Sequence, residues 1–166
     1  MKKSITLSKN NGFVMIEVLV TALLITIGLV GFGGLMAHNF RAGHSSLLST
    51  RATTLAESMA ERIKANYTAA REGTAYDNLV TPGGKECSGI CADGAAQAQD
   101  DLYKWSAMLG SELPLGKGKV EAQVKTLGSG VETKVFVISV LWDADKAGTT
   151  PTRCEPSQCV SLTVRM

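Results

Sequence analysis

From Phe13 to Ala37 the chain reads Phe-Val-Met-Ile-Glu-Val-Leu-Val-Thr-Ala-Leu-Leu-Ile-Thr-Ile-Gly-Leu-Val-Gly-Phe-Gly-Gly-Leu-Met-Ala, an apolar run interrupted by one charge, Glu17. About 25 residues rising 1.5 Å each as a helix cover roughly 37 Å, more than the hydrocarbon core of a bilayer. An ordinary secretory signal has an apolar stretch of only about 7 to 15 residues and ends in a small-x-small cleavage site. Here His38-Asn39-Phe40-Arg41 follows instead. The run is therefore expected to stay on the mature chain as a membrane helix.

The flanks set an orientation. Lys2, Lys3 and Lys9 precede the run, and no acidic residue lies between Met1 and Gly12. Cationic flanks stay cytoplasmic, so the remainder is expected outside the inner membrane. Four cysteines agree independently, because an extracytoplasmic compartment lets disulfides persist. With 166 residues, 45% of them hydrophobic, the chain has material for one modest globular core beside the apolar segment. A formal net charge of +2, with scattered Lys and Arg, gives no concentrated basic face, and nucleic acid is not expected as a partner.

The junction Asn11-Gly12-Phe13-Val14-Met15-Ile16-Glu17 separates this chain from a generic single-pass anchor. Cleavage after Gly12 would remove the basic leader at the cytoplasmic end and leave the helix whole. Glu17 needs an explanation, since a carboxylate near the middle of a membrane helix costs about 2.5 to 3.5 kcal/mol on insertion scales, and less toward the interface. These residues resemble the type IV pilin superfamily, whose leader ends in Gly, followed by a hydrophobic residue and by Glu at the fifth mature position. The resemblance implies that a prepilin peptidase cuts between Gly12 and Phe13 and that the new amine of Phe13 is methylated. It also implies that Glu17 pairs with the N-terminal amine of a neighbouring subunit during assembly. Val14 departs from the Thr or Ser frequent at the second mature position.

Further likenesses narrow the branch. Gly12-Phe13-Val14-Met15-Ile16-Glu17-Val18-Leu19-Val20, then Leu55-Ala56-Glu57-Ser58-Met59-Ala60-Glu61-Arg62-Ile63-Lys64-Ala65-Asn66, then Trp105 ahead of Glu112-Leu113-Pro114-Leu115-Gly116-Lys117-Gly118, and finally Val140-Leu141-Trp142 resemble the PilV-type minor pilins. Type II secretion pseudopilins begin very similarly. The resemblance implies as partners the prepilin peptidase, other minor pilins and the major pilin, the inner-membrane pilus assembly platform and membrane lipid. It implies a single-pass inner-membrane protein with a periplasmic domain, extracellular once in the pilus. An anchored periplasmic binding domain that never polymerises is the contrasting reading.

Beyond the membrane run the helix is expected to continue to about Tyr67. Leu48, Ala52, Leu55, Met59 and Ile63 recur at spacings of three and four, and no proline occurs from Met1 to Thr81. Gly28, Gly31, Gly33 and Gly34 lie inside it, suited to close packing or merely tolerated in a membrane helix. Gly73 to Gly94, with Pro82-Gly83-Gly84, reads as surface loop. A helix should follow with Asp100 and Asp101 in its first turn and Leu102, Trp105, Met108 or Leu109, and Leu113 on one face. Trp105 reads as a core anchor. Three strands complete the pattern: Val120, Ala122 and Val124 alternate with polar residues, Val131 to Trp142 is rich in branched residues, and Val160, Leu162, Val164 and Met166 alternate again. The expected fold is α+β, a long N-terminal helix with a membrane-spanning first half, packed on a small antiparallel sheet as in pilins. Its parts are a leader (1–12), a transmembrane segment (13–37) and a globular domain (38–166) that includes the second half of the helix.

Cys87 with Cys91 and Cys154 with Cys159 form two close pairs, and four cysteines allow three disulfide connectivities. A tetrathiolate zinc site usually has two residues between paired ligands, whereas these pairs enclose three and four. Disulfides are the reading, with local and crossed pairing both open. His38 and His44 stand at i and i+6, off a common helix face, and no Ser-His-Asp or Cys-His arrangement follows from the spacing. Asp143 and Asp145 lack the dense acidic pattern of a calcium loop. No catalytic residue, metal or cofactor is expected, and the chain reads as a structural subunit, not an enzyme.

Overall fold

The computed structural model describes residues 11–166 except 127, 129, 131, 145, 146, 150, 151, 156 and 157, with side chains from residue 15 onward. The first ten leader residues, Val131 and Asp145 thus lie outside the described residues. Helix α1 runs Asn11–Ala65, α2 Tyr67–Arg71 and α3 Gly94–Glu112; strands β1 Leu79–Val80, β2 Lys117–Thr126, β3 Glu132–Leu141 and β4 Cys159–Arg165 form one antiparallel sheet in the order β1-β2-β3-β4. The architecture is α+β, a long apolar-starting helix packed against a small antiparallel sheet. The chain divides into two compact units, Met1–Gly43 and His44–Met166.

In the first unit the described side chains of α1 are exposed, including Leu19, Leu24, Leu29, Val30 and Phe40. Mean hydropathy reaches 2.3 over its most apolar window, so the helix is long and apolar enough to cross a membrane.

In the second unit the same helix becomes amphipathic. Leu48, Ala52, Leu55, Met59 and Ile63 are buried, with Ala56 and Ala60 beside them, while Glu57, Glu61 and Lys64 are exposed. That stripe meets the inward residues of the sheet, Val120, Phe136, Ile138, Val140 and Val164, in one core. Burying each such Leu, Ile, Val or Phe side chain contributes about 1.5–3 kcal/mol. Helix α3 closes the core with Leu102, Trp105 and Leu109, all buried. Trp105 is fully buried and its Nε1 donates to the Leu55 carbonyl, 2.9 Å. Gly118 faces the Trp105 ring so closely that a Cβ there would collide with it. The ring is thus wedged between α1, α3 and β2.

Several expectations are corrected. The first helix ends at Ala65, and Asn66 separates it from α2, because the Asn66 side chain turns to bond Tyr76 Oη, 3.2 Å, and the Gly94 carbonyl, 2.7 Å. Asp100 and Asp101 are not in the first turn of α3: the helix starts at Gly94, capped by Asp93, whose carboxylate accepts from Ala96 N–H at 2.7 Å. The segment 73–94 is more than surface loop, since Tyr76, Leu79 and Thr81 are buried and β1 pairs with β2 through Leu79–Val120 and Val80–Lys119. Lys134 Nζ also clamps it, 2.6 Å from the Gly73 carbonyl and 2.8 Å from Asp77.

Candidate functional site

Two places carry chemistry. The Gly12–Phe13 bond lies within the described part of α1, Asn11–Ala65. The Phe13 side chain lies outside the described residues. Glu17 is exposed, and among the described residues no side chain pairs with its carboxylate. Its neighbours are satisfied within the helix: Thr21 Oγ1 donates to the Glu17 carbonyl at 2.9 Å and the Val18 carbonyl at 3.0 Å, and Thr26 Oγ1 to the Leu23 carbonyl at 2.7 Å. Those hydroxyls are thereby compatible with an apolar surround. Glu17 is the one ionisable group of the run from Phe13 to Ala37.

The second place is a pair of acidic side chains side by side on α3. Asp101 is buried, accepting from Tyr76 Oη at 2.6 Å, Arg62 Nη1 at 3.0 Å and Gln97 Nε2 at 3.1 Å. It ties the end of α1 to α3 and to the 73–94 segment. Breaking a buried pair by removing one partner costs about 3–5 kcal/mol. Asp100 is also buried, bonded to Lys104 Nζ at 2.7 Å and to the Cys87 N–H at 3.0 Å. Sequence reasoning missed this network. A visible signal existed, since Asp101 lies one helical turn before Trp105 on the apolar face.

These groups predict how stability depends on pH. The Lys104 ammonium, followed by the Cys87 N–H, holds the Asp100 carboxyl below its usual range. A depressed folded-state value contributes stability above the ordinary pKa of about 4 that is lost as pH falls through the folded value. Burial, followed by the hydrogen bond to Asp101, pushes the Tyr76 phenol up. A raised folded-state value contributes stability below the ordinary pKa of about 10 that is lost as pH rises toward the folded value. The thermal midpoint is expected to fall at both extremes. Asp100→Asn should flatten the acid limb and Tyr76→Phe the alkaline limb; unchanged limbs in both variants would refute these assignments.

The cysteines close locally. Cys87 bonds Cys91 across a Cα–Cα distance of 5.4 Å, and Cys154 bonds Cys159 across 5.0 Å. Sulfur and oxygen atoms of Cys87, Cys91 and Asp100 lie within 4.8 Å of one another, but the two sulfurs are bonded together and the carboxylate oxygens are held by Lys104 and Cys87 N–H. Asp143 serves its own loop, accepting from Ala147 N–H at 3.0 Å and Gly148 N–H at 2.8 Å. His38 and His44 are exposed on α1. The N-terminal helix thus combines a carboxylate with no partner among the described residues and a large exposed apolar surface. Comparison with protein-family models, with curated proteins and with solved structures finds no match for this chain.

Proposed function

We propose that the chain is a minor subunit of a type IV pilus, which helps initiate or cap the filament and so supports surface attachment or twitching motility. The observation that carries the reading is Glu17, a carboxylate without a described partner on an exposed apolar helix, standing at the fifth position after the Gly12–Phe13 junction. Before assembly the helix anchors the chain in the inner membrane, Lys2, Lys3 and Lys9 on the cytoplasmic side and the His44–Met166 unit in the periplasm.

Prepilin peptidase cuts after Gly12 and the Phe13 amine is methylated. The assembly platform then moves the subunit from lipid into the filament, where Glu17 meets the amine of a neighbouring pilin. A buried carboxylate and a buried ammonium are each unfavourable alone and far less so together. The role is structural, not enzymatic. The test is fractionation: sheared surface pili should contain the chain at trace abundance beside the major pilin. Its absence from pili, with loss of exoprotein release on disruption, would assign it to a secretion pseudopilus; retention in membranes with neither phenotype would leave an anchored domain.

A further inference from the structure

Strand β4 is an edge of the sheet and its described ladder is with β3 alone. Which backbone groups are free follows from the ladder. Met166 N–H donates to the Lys134 carbonyl at 2.9 Å and Trp142 N–H to the Gln158 carbonyl at 3.1 Å. These pairs fix the even-numbered residues of β4 as those bonded to β3. Ser161, Thr163 and Arg165 consequently direct N–H and C=O outward, and all three are exposed.

Edges of this kind are normally blunted by proline, lysine or a bulge. β4 reads Cys-Val-Ser-Leu-Thr-Val-Arg, with neither proline nor lysine and with its one charge, Arg165, at the last residue, and its register against β3 is unbroken. On the opposite side, the half of β2 that β1 leaves uncovered carries Glu121 and Lys125. Charge interrupts the β2 edge, whereas the β4 edge is uncharged from Cys159 to Val164 and pairs with no further strand among the described residues.

A groove of about 430 Å³ runs beside the open edge, with Ala60, Leu162 and Val164 as its apolar part and Glu57, Glu61 and Lys64 as its charged part. Lys64 is 3.1 Å from Glu61, and among the described residues no cation pairs with Glu57. The groove keeps one uncompensated negative charge. In strand addition, main-chain bonds supply affinity and the flanking side chains supply specificity.

We propose that the β4 edge and this groove form a strand-addition site for an extended segment, alternately apolar and polar and bearing a Lys or Arg opposite Glu57, contributed by a different subunit of the same assembly. The source of the segment rests on the pilus reading; the site itself rests on the edge and the groove. Added strands continue the sheet through Ser161 and Thr163, and the cation sets the register at Glu57.

A photo-crosslinker, p-benzoylphenylalanine, placed at position 163 of the full chain in its own membranes tests this. Adducts mapped by mass spectrometry should fall on one stretch of alternating apolar and polar residues with a Lys or Arg, in a second protein. Ser161→Pro removes one outward N–H while sparing the β3 ladder, and Glu57→Lys reverses the groove charge. Each should cut adduct yield at least fivefold with the thermal midpoint little changed, whereas Ser161→Ala should not. Adducts to lipid, to scattered positions or to a second copy of this chain, or a yield indifferent to both variants, would overturn the proposal. The N-terminal mass of the same sample separates the failures: a chain starting at Phe13 without mapped adducts removes the strand-addition site alone, and one retaining Met1 removes the pilus reading on which the partner depends.

Discussion

Trp105→Ala is expected to destabilise the His44–Met166 unit by about 3–5 kcal/mol, the usual cost of truncating a buried Trp. The expectation lies toward the upper end for two reasons. The ring is fully buried against the α1 stripe, so its removal opens a cavity between elements that cannot easily collapse. It also leaves the Leu55 carbonyl without the Nε1 donor at 2.9 Å. Loss of this size is a large fraction of the 5–15 kcal/mol that typically holds a domain together. Trp105→Phe keeps much of the volume and forfeits the hydrogen bond, and should cost about 1–3 kcal/mol. Denaturant unfolding in detergent, followed by Trp142 fluorescence, reads both. A loss below about 1 kcal/mol for the alanine variant would contradict the wedge role.

Glu17→Ala should leave cleavage after Gly12 largely intact and reduce incorporation into pili at least tenfold. On the proposed reading the peptidase acts at the Gly12–Phe13 bond, which the substitution leaves unaltered. On the proposed reading assembly depends on the carboxylate, because in lipid Glu17 would carry a cost that pairing with a neighbouring amine relieves. Recovering only about 1.4 kcal/mol of that cost already corresponds to a factor of ten. Alanine makes the free subunit more comfortable in the bilayer and removes its preference for the filament. Immunoblots of sheared pili and of membranes give the ratio directly. Unchanged incorporation would refute the pairing, whatever the state of the N-terminus.

Periodic elements were legible in the sequence because burial on one face leaves a local pattern. Leu48, Ala52, Leu55, Met59 and Ile63 follow the helix repeat, and Val160, Leu162 and Val164 the strand repeat, and the structure buries or half-buries each on the core side. What was not legible is non-local. Arg62 meets Asp101 from 39 residues away, and nothing in either segment alone announces the contact. The start of α3 was misplaced because Gly94-Ala95-Ala96-Gln97-Ala98-Gln99 has little apolar periodicity, so Asp100 and Asp101 drew the boundary toward themselves, while Asp93 does the capping. β1, only Leu79–Val80, is too short to show alternation and exists through its pairing with Val120 and Lys119.

The N-terminal junction shows the opposite balance. Gly12, Phe13 and Glu17 fall within one short segment, so the motif is local in the sequence, and the structure adds that the Thr21 and Thr26 hydroxyls bond to helix carbonyls while the Glu17 carboxylate has no partner among the described residues. Cysteine spacing left three connectivities open, and the three-dimensional proximity of Cys87 to Cys91 and of Cys154 to Cys159 selects one. The open β4 edge depends on strand order, which no local pattern encodes.

Intact mass spectrometry of the chain purified from its own membranes tests the central claim most directly. A protein beginning at Phe13 and heavier by one methyl group is the predicted result; a protein that retains Met1 and the leader through Gly12 would contradict it.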